Sequence, residues 1–367
     1  MQIPKLKIGD LVAKLPIIQG GMGVGISLSG LAAAVGNAGG VGVISGVEIG
    51  FDLPSYLTDK VTANRQALAD HIQRARELCP KGILGVNIMT ALSDFAEMVK
   101  EAVKEKIDII FAGAGLPLDL PELVKDSETK IVPIVSSAKA ANVICKYWDR
   151  KSDYCPDAIV VEGPKAGGHL GFSEQELQND ATQSLPKLVQ DVLEIIKPFE
   201  QKYGREIPVI AAGGIFTGGD IGNYLSMGVS GVQMGTRFVG THECDASPGF
   251  KQQYLNAKKE DIVLIKSPVG MPGRAINNDF LEKVSHGTQI RTRCQYHCLK
   301  HCRPQTARYC IAEALIHAQR GEMDGGFAFA GTNAYRVDKL VSVQDLMDEL
   351  TDELTAHQGK IHQDSAS

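Results

Sequence analysis

A chain of 367 residues, 44% of them apolar, has room for one large barrel with insertions or for two ordinary domains. Its net charge of −5 gives no reason to expect nucleic acid or an anionic membrane as a partner. No apolar run is long and glycine-free enough to span a bilayer; the stretch 31–44 is cut by Gly36, Gly39, Gly40 and Gly42.

The chain begins MQIPKLKIGDLVAKLP, without the apolar stretch of a signal peptide, so a cytoplasmic location is expected. There the eight cysteines should be reduced thiols or ligands rather than a disulfide framework. Short apolar runs predict eight strands, at 16–19, 41–45, 83–87, 107–112, 131–135, 158–162, 208–212 and 231–234. Most are continuously apolar, as expected for strands buried on both faces. Helical periodicity lies between them. Leu68, His71, Ile72, Ala75 and Leu78 share one face, as do Leu92, Phe95, Val99 and Val103. Ala138, Ala141, Ile144, Cys145 and Trp148 make another face, and 221–227 a short one.

Strands alternating with helices imply parallel pairing, and eight such units fit a closed barrel. No GxGxxG follows the first strand, which argues against a Rossmann fold. The expected fold is α/β, a (β/α)8 TIM barrel. A polar segment, 172–187, is inserted after strand six, before an amphipathic helix near 188–199. About 130 residues follow strand eight, too many for one closing helix. They include a glycine-rich apolar stretch, 325–337, expected over the barrel mouth, and closing helices at 311–319 and 343–354. The end, 358–367, reads as disordered.

The strand ends carry the candidate chemistry. Strands seven and eight end in Gly213-Gly214 and Gly235-Thr236. Glycine turns there let the backbone approach a ligand, and the last two strands of a TIM barrel commonly hold a phosphate. A phosphorylated cofactor is therefore expected. Strand one ends in Gln19-Gly20-Gly21-Met22-Gly23, a turn able to lie against a flat ring, and strand three ends at Asn87, which can donate and accept toward a ring edge. Taken alone, each is a common strand terminator. Strand six runs into EGPKAGGHLG at 162–171, which places His169 in a glycine-flanked loop on the catalytic face. A histidine there can exchange a proton near neutral pH. Glu162 reads as orienting the loop or bonding a ligand hydroxyl.

Cys294, Cys298, Cys302 and Cys310 put half the cysteines into 17 residues. On a helix the first three would share a side, but positions eight apart rise about 12 Å, so one metal centre needs a bend. Pro304 and the loop after it offer one. Four thiolates suit zinc or an iron–sulfur cluster. Arg291, Arg293, Lys300, Arg303 and Arg308 would offset their charge, and His297 or His301 could replace a thiolate. The spacing matches neither zinc-finger pairs nor ferredoxin runs. Cys79, Cys145 and Cys155 read as ordinary packing residues; Cys244 follows the glycine motifs and is a candidate neighbour of the active site.

Five segments, PIIQGGMG at 16–23, GVNIM at 85–89, EGPKAGGHLG at 162–171, IPVIAAGGI at 207–215 and GVQMGTRF at 231–238, occur in one order. Together the chain resembles the nitronate monooxygenase family, the 2-nitropropane dioxygenase-like flavoproteins, over roughly 16–272. That family also contains FMN-dependent enoyl-acyl-carrier-protein reductases and related quinone reductases. The resemblance implies a barrel core, 1–240, holding non-covalent FMN. It places Gly21 and Met22 beside the flavin ring and Asn87 at its polar edge. Gly213, Gly214, Gly235 and Thr236 would hold the phosphate, and His169 would be the catalytic histidine. The extension, 241–357, would pack on the barrel, with 331–333 near the flavin. The family usually has Glu where this chain has Pro164-Lys165.

The expected activity is oxidation of alkyl nitronates with O2. The alternative is an NAD(P)H-dependent enoyl-thioester or quinone reductase, the only reading that calls for NAD(P)H, and the sequence gives no clear nicotinamide signature. A third possibility is a flavin-free phosphate-binding barrel. The partner is a small-molecule substrate, and a homo-oligomer stays open.

Overall fold

The computed structural model describes residues 3–179, 181–290 and 294–366, with side chains through position 359. Eight parallel strands close into one barrel: Ile17–Gln19, Val41–Ser45, Ile83–Met89, Ile109–Gly113, Lys130–Val135, Ile159–Glu162, Val209–Ala212 and Gly231–Met234. The last pairs with the first in parallel register, Val232 opposite Ile17 and Met234 opposite Gln19. Neighbouring residues point to opposite faces of a strand. Ile18, Val43, Ile109, Phe111, Val160 and Ile210 fill the barrel interior, while Ile17, Ile44, Ile110, Ile159, Val161 and Val209 join the layer under the helices. Burial on both sides explains why these strands read as continuous apolar runs.

An N-terminal hairpin, Leu6–Ile8 paired with Leu11–Ala13, adds Leu6, Ile8 and Ala13 to the interior cluster. It plugs the amino end of the barrel, so the carboxyl end is left as the mouth.

The helices follow most of the expected faces: in Phe95–Lys104, Phe95 and Val99 are buried, while Leu92 precedes the helix. In Lys60–Leu78, Leu68, Ile72 and Ala75 are buried, while Leu78 is half exposed. In Ala138–Ser152, Ala141, Ile144, Cys145 and Trp148 are buried. The segment after strand six holds a short helix, Glu174–Gln178, and then Leu185–Tyr203, which starts earlier than the apolar pattern because Pro186 suits a first helical turn.

The C-terminal helix, Val343–Ala366, lays Val343, Leu346, Met347, Leu350 and Leu354 onto the barrel layer and packs on Gly218–Ser226. A Cβ on Gly218 would stand 2.2 Å from the Leu350 carbonyl oxygen, so the close approach of the two helices requires glycine. The backbone is helical through Ala366, across most of the end that reads as disordered; Ser367 lies outside the described residues. No described helix is long and apolar enough to cross a membrane.

A second sheet is absent from the sequence reading. Ile262–Lys266, Pro272–Ile276 and Gly168–His169 form three antiparallel strands across the mouth, with Gly273 opposite His169 and Arg274 opposite Gly168.

Candidate active site

A cavity of about 290 Å³ opens at the carboxyl ends of the barrel strands. Gly21, Met22, Asn87, His169, Gly213, Gly214, Gly235 and Thr236, separated by more than two hundred positions in sequence, all line it. The tail residues Gly331 and Asn333 line it too. Cys244 does not; it is buried beneath the mouth, with its thiol 3.4 Å from the Ile26 carbonyl.

The glycines have local reasons. Gly213 and Gly214 take φ of +97° and +85°, the left-handed region that favours glycine. A Cβ on Gly214 would stand 2.8 Å from Cβ of Lys165, which also lines the cavity. A Cβ on Gly21 would stand 2.3 Å from Cβ of Asn87, so the first-strand turn lies directly on the amide. The Asn333 side-chain amide donates to the Gly214 carbonyl at 2.8 Å and ties the tail to the same turn.

His169 is fixed from three sides. Its backbone is in the three-stranded sheet. Its Nε2 is 2.7 Å from Oγ of Ser267, a buried residue. Its ring meets the edge of Phe329 with centroids 4.9 Å apart. Burial pushes its pKa down to about 4, so the imidazole is neutral at neutral pH. Glu162 faces the same cavity, and burial pushes its carboxyl up to about 7. The two groups thus titrate in inverted order, the carboxyl above the imidazole.

Sequence reasoning passes over the residues that hold the histidine loop. Arg274 is 8% exposed and donates through Nη1 to the carbonyls of Pro164 at 2.7 Å and Ala166 at 2.5 Å. Tyr254 lines the cavity and donates to the Phe329 carbonyl at 2.6 Å. Arg274 lies in the three-stranded sheet, Ser267 directly follows its first strand and Phe329 bridges Ala275, so these partners come from pieces about a hundred residues or more from His169. The only sequence signal was a lone arginine inside the apolar run 272–276.

Of the basic residues near the cysteines, Arg291 and Arg293 lie outside the described residues. Among the described residues, no three His, Cys, Asp or Glu side chains are placed to hold a metal ion. The iron–sulfur or zinc centre expected at Cys294, Cys298, Cys302 and Cys310 is therefore not borne out as a site for a single metal ion. A tetrahedral zinc needs its sulfurs about 2.3 Å from one point. The four thiols do not meet there; they stand around a separate cavity of about 330 Å³. Nor is the segment a bent helix, since 291–310 contains no described helix and 311 begins the next one.

A closed parallel barrel with glycine turns and a half-buried histidine at its mouth defines a TIM barrel with a ligand cleft at the carboxyl ends of its strands. The family model for nitronate monooxygenase matches residues 5–353, and the chain belongs to that family, as an FMN-dependent oxidoreductase. It is 28% identical over 276 residues to (3aS,4S,5R,7aS)-5-hydroxy-7a-methyl-1-oxo-octahydro-1H-indene-4-carboxyl-CoA dehydrogenase of Mycobacterium tuberculosis, covering 75% of this chain and 67% of that one. It is 27% identical over 307 residues to a probable nitronate monooxygenase of Staphylococcus saprophyticus, covering 78% of this chain and 82% of the relative. The structure of FabK from Thermotoga maritima superposes with a TM-score of 0.74 at 26% identity, covering 96% of both chains.

Proposed function

We propose that the cleft binds one FMN and oxidises alkyl nitronates with O2. One observation carries this reading: the two glycine turns, the first-strand turn, Asn87 and His169 converge on a single cleft. The residues present fit the cofactor. The left-handed turn at 213–214 leaves a cradle beside Lys165, whose cation suits a phosphate, and Gly235 and Thr236 supply the facing wall. The 20–23 turn, lying on Asn87, offers a flat face and an amide to a ring.

Bound FMN supplies the electron acceptor that O2 then reoxidises. The chain supplies the rest. Neutral His169 accepts the proton from the carbon of a neutral nitroalkane, while an already ionised nitronate asks no proton of it. Ser267 and Phe329 hold the ring in one orientation. The tail 330–333 covers the loop so closely that a Cβ on Gly167 would stand 2.5 Å from the Ala330 carbonyl carbon.

A second reading, reduction or oxidation of an acyl thioester, is favoured by the carboxyl-CoA named for the Mycobacterium tuberculosis relative. Cofactor content tests the site. The purified protein is expected to be yellow with one FMN per chain, and Gly214→Val to be folded and colourless. A wild-type protein that neither carries nor takes up FMN contradicts the proposal. Oxygen uptake on adding an alkyl nitronate tests the reaction.

A further inference from the structure

The flavin reading makes no use of the second cavity. Cys294, Cys298, Cys302 and Cys310 all line it, with Arg303 and Tyr309 beside them. Its remaining walls are the apolar Leu299, Pro304, Ala307 and Ile311, with His297 and Gln305 as further polar side chains. Water in a buried space needs two to four polar partners, and thiols are weak ones. Tyr309 is only 3% exposed, yet its hydroxyl has no hydrogen-bond partner among the described residues. Four thiols and an unpartnered phenol thus face one hollow.

The surrounding chain points the same way. Residues 294–310 contain neither helix nor strand among those described. Long irregular segments inside a compact domain are uncommon without a functional reason. This one is nonetheless pinned to the barrel: Ser93 N donates to the Cys298 carbonyl at 3.0 Å, Ser93 Oγ to the His297 carbonyl at 2.7 Å, and Lys300 N to the Ala91 carbonyl at 3.0 Å. The loop is held as a wall around the hollow.

The occupant's chemistry follows from the thiols' separation. A single ion draws its ligands to one point, and no such convergence exists among the described residues. A four-iron cluster is a body with four corners, each taking one thiolate, so its ligands stand apart around a volume. We propose that Cys294, Cys298, Cys302 and Cys310 hold a [4Fe–4S] cluster in this cavity. Arg303 offsets its negative charge, and the Tyr309 hydroxyl has a sulfur to donate to. The site adjoins the active-site cleft through one helix, Ile311–Arg320: Ile311 lines the cysteine cavity and Leu315 the cleft, about 6 Å further along the axis. The proposal stands independently of what the cleft binds.

The test is metal analysis of the full chain purified without oxygen, then treated with ferrous iron and sulfide. The expected result is about four irons and four acid-labile sulfides per chain, with a broad visible band that dithionite bleaches. Cys302→Ser, at a partly exposed position, and Cys298→Ser, at a buried one, should each lose most of the iron. Circular dichroism separates loss of iron from loss of fold, and Cys145→Ser, a buried cysteine outside the cavity, should keep its iron. Zinc in place of iron, two irons and two sulfides per chain, or no metal with four alkylatable thiols would each overturn the assignment.

Discussion

Under the proposed function, His169 and Glu162 are the two cleft side chains whose titration bears on the reaction. His169→Ala is expected to keep its FMN and lose about 10²–10⁴ in turnover of neutral nitroalkane. An ionised nitronate should suffer far less, because its proton is already gone. Equal, unimpaired rates on both would show that the histidine is only structural. The inverted titration order gives a pH signature. A base works when deprotonated, so a histidine held down to about 4 keeps its function as pH falls well below its ordinary value of 6.5. Any limb near pH 7 in kcat/KM then belongs to Glu162, whose carboxyl is raised to about 7. Glu162→Gln should remove that limb; a limb near 7 that survives the substitution would return it to His169. Both residues were legible in EGPKAGGHLG, because a glycine-flanked histidine after a strand is a local pattern. Their titration was not legible, because it comes from burial in a cleft whose walls include 212–215, 233–236 and 329–333.

The antiparallel sheet of Ile262–Lys266, Pro272–Ile276 and Gly168–His169 aims the histidine. Its third strand is two residues long and includes a glycine, so no periodicity could announce it. The barrel strands were legible for the opposite reason: most are runs of apolar residues long enough to be buried on both faces. Arg274 holds this sheet to the 163–169 loop through two carbonyls. Arg274→Met keeps the apolar stem and leaves those carbonyls without their donor, at a cost of about 1–3 kcal/mol. The expected outcome is a folded protein with a lower melting temperature and a nitroalkane kcat reduced more than its FMN content. Unchanged stability and activity would show that the loop is held by its strand pairing alone.

At the scale of the whole molecule, the N-terminal hairpin closes one end of the barrel, and the chain after strand eight builds around the other. The C-terminal helix returns to cover Gly218–Ser226 with Leu350 and Leu354 fully buried. Leu350→Ala should cost about 2–5 kcal/mol in chemical denaturation. A loss below 0.5 kcal/mol would mean that this helix is not part of the cooperative unit. The architecture and the glycine turns came through in sequence because they repeat with each strand. Much of 241–342 did not, because beside the local hairpin of Ile262–Lys266 with Pro272–Ile276 its pieces pair with distant partners: Leu92 with Leu299, Ala275 with Phe329 and Thr241 with Val341. The barrel, the mouth and His169 together make one central claim, that an alkyl nitronate delivers its electrons to FMN in this cleft. Anaerobic mixing of the FMN-loaded protein with an alkyl nitronate, followed at the flavin absorption band, tests it most directly. The expected result is bleaching by the nitronate alone and recovery of the colour when O2 is admitted. Flavin that stays oxidised with the nitronate and is bleached only by NADH or NADPH would contradict it and assign the cleft to a nicotinamide-driven reductase.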